Sequence, residues 1–98
     1  MKKESQCLHS GTIYDSITGG INSPVFPSSA FGYIDREDVP YPRYFNTANQ
    51  KAVVGKVCAL EGGEDGVLFS SGMAAISTSI LAFAGTGDHV VIMDELYG

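Results

Sequence analysis

Phe69-Ser-Ser-Gly-Met-Ala-Ala75 is the stretch whose reading decides the fold. It joins a short apolar run, Gly66-Val-Leu-Phe69, to a longer apolar-periodic run from Gly72 to Ala84. That pattern is a buried strand turning sharply into a helix. Two serines and a glycine form the turn, so no bulky side chain covers its backbone N–H groups. The first N–H groups of a helix have no intrahelical partner and carry partial positive charge. A phosphate at such a junction meets several donors and the helix dipole together. The competing reading is a Ser-capped helix with water at its N-terminus. These seven residues leave both open.

Outward from the turn, the C-terminal side reads as α/β. His89-Val-Val-Ile-Met93 is an unbroken apolar run suited to a strand covered on both faces. Strand 65–69, helix 72–84 and strand 89–93 make a right-handed parallel βαβ unit, with Gly85 and Gly87 stopping the helix. Ligands of such sheets bind at the carboxyl ends of the strands. That rule places the Ser70–Met73 turn and the Asp94–Tyr97 segment on one edge. On the N-terminal side, Val53, Val54, Val57 and Leu60 share one helical face. Asn46 or Thr47 is placed to cap that helix, and Gly62-Gly63 to end it.

Residues 1–45 show no sustained periodicity and are punctuated by Pro24, Pro27, Pro40 and Pro42. They read as an extended arm with turns. The arm carries Tyr14, Phe26, Phe31, Tyr33, Tyr41, Tyr44 and Phe45, a large aromatic surface to leave in water. An arm packing on a neighbouring subunit accounts for it. The expected division is an arm over 1–45 and the first part of an α/β domain over 46–98.

Composition narrows the function classes. In 98 residues, 44% are hydrophobic and 17% charged, the balance of a folded chain. The net charge is −5, and the six Lys and Arg residues are scattered, so nucleic acid is not an expected partner. No apolar run approaches the ~20 residues of a membrane span, and no apolar core follows the basic start as in a signal peptide. Cys7 and Cys58 lie too far apart for a metal knuckle. A cytoplasmic protein with free thiols is the expectation, without a metal site or membrane partner.

Single residues add weaker signals. Arg43 stands in Tyr41-Pro-Arg-Tyr44, and a guanidinium matches phosphate in bidentate fashion. An Arg among loop tyrosines also serves as a solvated or stacking residue. Tyr97 falls at the expected ligand edge, where its ring could stack on a planar cofactor or form an empty rim. His9 and His89 have no partner at ligand or triad spacing. Adjacent Asp94 and Glu95 diverge along a strand and form no carboxylate pair.

Taken in order, Tyr41-x-Arg43-Tyr44-x-Asn46, Ala59-Leu-Glu-Gly-Gly63, Phe69-Ser-Ser-Gly-Met-Ala-Ala-Ile76, Gly87-Asp-His-Val90 and Leu96-Tyr-Gly98 are specific. The sequence resembles the cysteine/methionine-metabolism family of pyridoxal-phosphate enzymes, from about His9 to its last residue. That family includes cystathionine γ-synthase, the cystathionine lyases and methionine γ-lyase.

The resemblance implies the start of a fold-type-I large domain, incomplete in this chain, with pyridoxal 5'-phosphate as cofactor. It implies a homo-oligomer, a homotetramer, acting on a small sulfur amino acid by elimination or replacement at Cβ or Cγ. The backbone N–H groups of Gly72 and Met73 would hold the cofactor phosphate. Tyr41 and Arg43 would reach that phosphate from the neighbouring subunit. Tyr97 would stack on the pyridine ring and take part in proton transfer.

Three positions depart from the family pattern: Pro42 replaces a usual serine, Phe45 a usual glycine and Thr47 a usual proline. Phe45 adds bulk near the cofactor mouth. The family places its cofactor-bearing lysine, the acid facing the pyridine nitrogen and the substrate-carboxylate arginine further along a longer chain. Lys51 and Lys56 precede the phosphate turn and do not substitute. An N-terminal fragment, inactive alone, is the expectation. The alternative is a non-catalytic phosphate-binding or interaction module. A nucleotide-binding module fits less well, since neither G-x-x-x-x-G-K-[ST] nor G-x-G-x-x-G is present.

Overall fold

A computed structural model describes residues 1–96. Three helices are present among them: α1 (Lys3–His9), α2 (Ala48–Glu61) and α3 (Gly72–Phe83), with a 3₁₀ turn at Pro42–Tyr44. The chain divides into two compact units, Met1–Leu68 and Phe69–Gly98.

In the first unit, α2 is the organising element. Its N-terminus carries a capping box. The Thr47 hydroxyl accepts from the Gln50 N–H at 3.4 Å, and the Gln50 carbonyl accepts from the Thr47 N–H at 3.2 Å. Two otherwise orphaned donors are thereby satisfied. Thr47 is 8% exposed, the one buried residue among those described. At the other end Gly62 adopts φ 74°, and its N–H returns to the Cys58 carbonyl. A left-handed closing residue favours glycine because it has no Cβ to clash.

The arm is not extended throughout. Residues 3–9 form α1, with Glu4 in its first turn and His9 in its last, the arrangement the helix dipole favours. A helix this short draws its stability from packing, and α1 packs on α2. Two further ties hold the arm to α2. Lys56 donates to the Cys7 carbonyl at 3.0 Å. The Asn49 carboxamide accepts from the Phe26 N–H at 3.0 Å and donates to the Phe26 carbonyl at 2.7 Å. Between these, Asp15 accepts from the Thr18 hydroxyl and the Ile17 N–H, bonds that hold its carboxyl below the ordinary carboxylate range.

Gly11 sits against the backbone of α2 at Ala52, Gly55 and Lys56. Its φ is 65°, and a Cβ there would lie 2.6 Å from the Lys56 nitrogen and 2.7 Å from the Ala52 carbonyl oxygen. Gly11→Ala therefore combines left-handed strain with a backbone clash, on the order of 2–4 kcal/mol. It is expected to release α1 from α2, raising amide exchange at Gln6 and Ser10 to the free-chain rate. Gly55→Ala, whose Cβ would meet the Gly11 Cα at 3.5 Å, should leave that exchange unchanged.

In the second unit, α3 begins at Gly72 as its Ser71 cap dictates and ends one residue short of the expected Ala84. Beyond it, the Asp88 carboxylate accepts from the Gly85 N–H at 2.7 Å, closing a turn that includes Gly87 at φ 96°.

The strands expected at 65–69 and 89–93 are corrected: no strand forms among the described residues, so the βαβ unit is not assembled. The physical reason is where each element finds its hydrogen bonds. A helix satisfies its N–H and C=O groups within itself, whereas a strand needs at least one neighbouring strand to pair with. Val90, Val91, Ile92 and Met93 are correspondingly exposed, Val91 at 97%.

Candidate phosphate-binding elements

Among the described residues, two of the sequence-derived site residues, Gly72 and Met73, belong to the second unit. Ser71 is the N-cap of α3, with its hydroxyl accepting from the Ala74 N–H at 3.1 Å. The Ala75 N–H bonds the Ser71 carbonyl at 3.1 Å. The third and fourth donors of this helix start are thus occupied. Those of Gly72 and Met73, ahead of them, have no partner among the described residues. A Cβ built on Gly72 would meet nothing within 4 Å, and Gly72 and Met73 are both exposed. Two free donors at the positive end of a 12-residue helix suit an anion.

Tyr41 and Arg43 belong to the first unit. Pro42–Tyr44 forms a single 3₁₀ turn, with the Tyr44 N–H on the Tyr41 carbonyl at 2.9 Å. The rings of Tyr41 and Tyr44 meet edge to face, 5.2 Å between centroids. Arg43 is exposed, with no ion pair or hydrogen bond among the described residues. The turn is joined to α2 by side chains. Asn46 accepts from the Tyr41 N–H at 2.7 Å and donates to the Val39 carbonyl at 3.0 Å. Gln50 donates to the Pro42 carbonyl at 2.9 Å.

Phe45 closes the turn at φ 56°, ψ 25°, with its N–H on the Pro42 carbonyl at 3.2 Å. This explains the usual glycine at that position: the backbone is left-handed. Phenylalanine there carries strain on the order of 1–2 kcal/mol. Tyr97, the remaining expected site residue, lies outside the described residues.

Sequence reading passed over Gln50, although Thr47-x-x-Gln50 is the capping-box spacing and was available to find it. Its second role, on the Pro42 carbonyl eight residues back, has no such local signature. Among the described residues no helix is long and apolar enough to cross a membrane, and no cluster of metal-ligating side chains occurs.

With these elements in place, the comparison with known proteins defines the class. The chain matches the Cys/Met metabolism PLP-dependent enzyme family over residues 4–98 and belongs to it. Cystathionine gamma-lyase of Bacillus subtilis is 38% identical over 100 residues, covering all of this chain and 26% of that protein. O-acetyl-L-homoserine sulfhydrylase of Corynebacterium glutamicum is 35% identical over 105 residues, covering 97% of this chain and 24% of that protein. Cystathionine gamma-synthase of Mycobacterium bovis is 36% identical over 98 residues, covering 96% and 25%. The chain spans about a quarter of the length of these relatives.

Proposed function

We propose that this chain supplies the N-terminal, phosphate-holding part of a pyridoxal-phosphate enzyme acting on sulfur amino acids by elimination or replacement at Cβ or Cγ. The observation that carries the reading is the pair of exposed, unpartnered N–H groups at Gly72 and Met73, inside a family match over residues 4–98. When bound, pyridoxal 5'-phosphate supplies the electron sink for such chemistry.

The chain's own residues do the holding. Gly72 and Met73 donate their N–H groups to the phosphate, and the α3 dipole adds to the attraction. Arg43 supplies a bidentate cation and Tyr41 a hydroxyl donor, both reaching the site of the neighbouring subunit. Tyr97 would lie against the cofactor ring and would hold or pass a proton at its phenolic oxygen. The exposure of Tyr14, Tyr33 and Tyr44 supports an arm whose aromatic surface is covered by a second copy.

Gly72→Val in the full-length protein tests the phosphate-holding turn. Gly72 is not left-handed and its Cβ direction is free, so the helix start should persist. Side-chain bulk beside the two donors should weaken pyridoxal 5'-phosphate binding about ten- to hundredfold, the equivalent of one charge-assisted hydrogen bond. Pyridoxal, which lacks the phosphate, should bind as before. Unchanged affinity for the phosphorylated form would overturn the assignment.

A further inference from the structure

We propose that Asn46 is a positioning residue for the phosphate-binding turn, with Gln50 as a second brace, so that Tyr41 and Arg43 are held in their binding geometry before any ligand arrives. The proposal rests on the phosphate reading above.

One turn of 3₁₀ helix has little stability of its own. The turn at Pro42–Tyr44 is instead pinned by two carboxamides, Asn46 just before the Thr47 cap of α2 and Gln50 in its first turn. Asn46 accepts from the Tyr41 N–H at 2.7 Å and donates to the Val39 carbonyl at 3.0 Å and the Asp38 carboxylate at 3.4 Å. These contacts use one acceptor and two donors in a single planar group, an inventory only a carboxamide offers at this length. Aspartate would keep the acceptor, lose both donors and set a second negative charge against Asp38.

Gln50 extends the same lattice. Its amide nitrogen holds the Pro42 carbonyl at 2.9 Å, while its carbonyl accepts from the Thr47 N–H at 3.2 Å. The backbone leading into Arg43, at Val39, Tyr41 and Pro42, is therefore tied to side chains at a capped helix end. Arg43 itself is tied to nothing among the described residues, leaving its guanidinium available. Ordering a loop at the moment of binding lowers affinity, and a turn ordered beforehand avoids that loss.

The test measures equilibrium binding of pyridoxal 5'-phosphate and of pyridoxal to the cofactor-free full-length protein. Asn46→Ala is expected to weaken the phosphorylated ligand about tenfold and to leave pyridoxal unchanged. Combined with Arg43→Ala, it should add less than it does alone, because it acts through the turn. Should Asn46→Ala not fold, Asn46→Asp is read the same way. Equal weakening of both ligands would mean a general structural role and overturn the proposal. Full affinity in Asn46→Ala beside weakened Arg43→Ala would also overturn it while leaving the phosphate reading intact. Full affinity in Arg43→Ala would take Arg43 out of the phosphate site and overturn the proposal, while the Gly72 and Met73 donors are judged separately by Gly72→Val.

Discussion

The 98-residue chain on its own is expected to unfold without a cooperative calorimetric peak and to associate as its concentration rises. No hydrophobic side chain is buried among the described residues. Conformational entropy costs on the order of 1–2 kcal/mol per residue, and a cluster this open does not offset it. Only local elements should survive, α2 best because its capping box and Gly62 closure satisfy its ends internally. Amide exchange should therefore show modest protection in α2 and little elsewhere.

Association should arise from the His89–Met93 run, an apolar segment without ladder partners and a template for pairing between chains. Sedimentation velocity across a concentration series would show it, and Val91→Lys should suppress it. A monodisperse monomer with a sharp transition, near the ~60–80 kcal/mol enthalpy typical of a domain this size, would show that the chain is self-sufficient.

Arg43→Ala in the full-length protein should weaken pyridoxal 5'-phosphate retention about ten- to hundredfold. Removing a charge-assisted contact to phosphate accounts for that range. Arg36→Ala, which removes the same charge outside the turn, should change retention little. The proposed reach across the subunit interface makes a stronger demand. Arg43→Ala subunits mixed with subunits lacking the cofactor-bearing lysine should recover part of the activity. Each mixed dimer then contains one site with both defects and one with neither. Mixed dimers that form yet stay inactive would place Arg43 in its own subunit's site and remove the trans reading.

Much of the candidate site was legible because its determinants are close in sequence. Ser71 caps α3 by reaching three residues ahead, which any Ser before an apolar-periodic run announces. The exposed Gly72 and Met73 donors follow from that cap. Asn46 appeared in the motif and as a possible cap, but the structure gives the cap to Thr47 and turns Asn46 backward onto the arm. Its choice depends on where the Val39 and Tyr41 backbone lies, and that path has no periodic signature. Phe45 looked like added bulk, whereas its left-handed backbone shows why glycine is usual there.

The sequence by itself determined the family, the α2 and α3 helices and the Ser71-capped start of α3, because helices, caps and turns draw their hydrogen bonds from residues a few positions away. It did not determine α1, the Gly11 approach to α2 or the Asn49 clasp on Phe26, which join residues 23 or more positions apart. The apolar runs at 65–69 and 89–93 are the sharpest case. Their composition suits strands, yet a strand exists only where neighbours complete its ladder, and among the described residues none does.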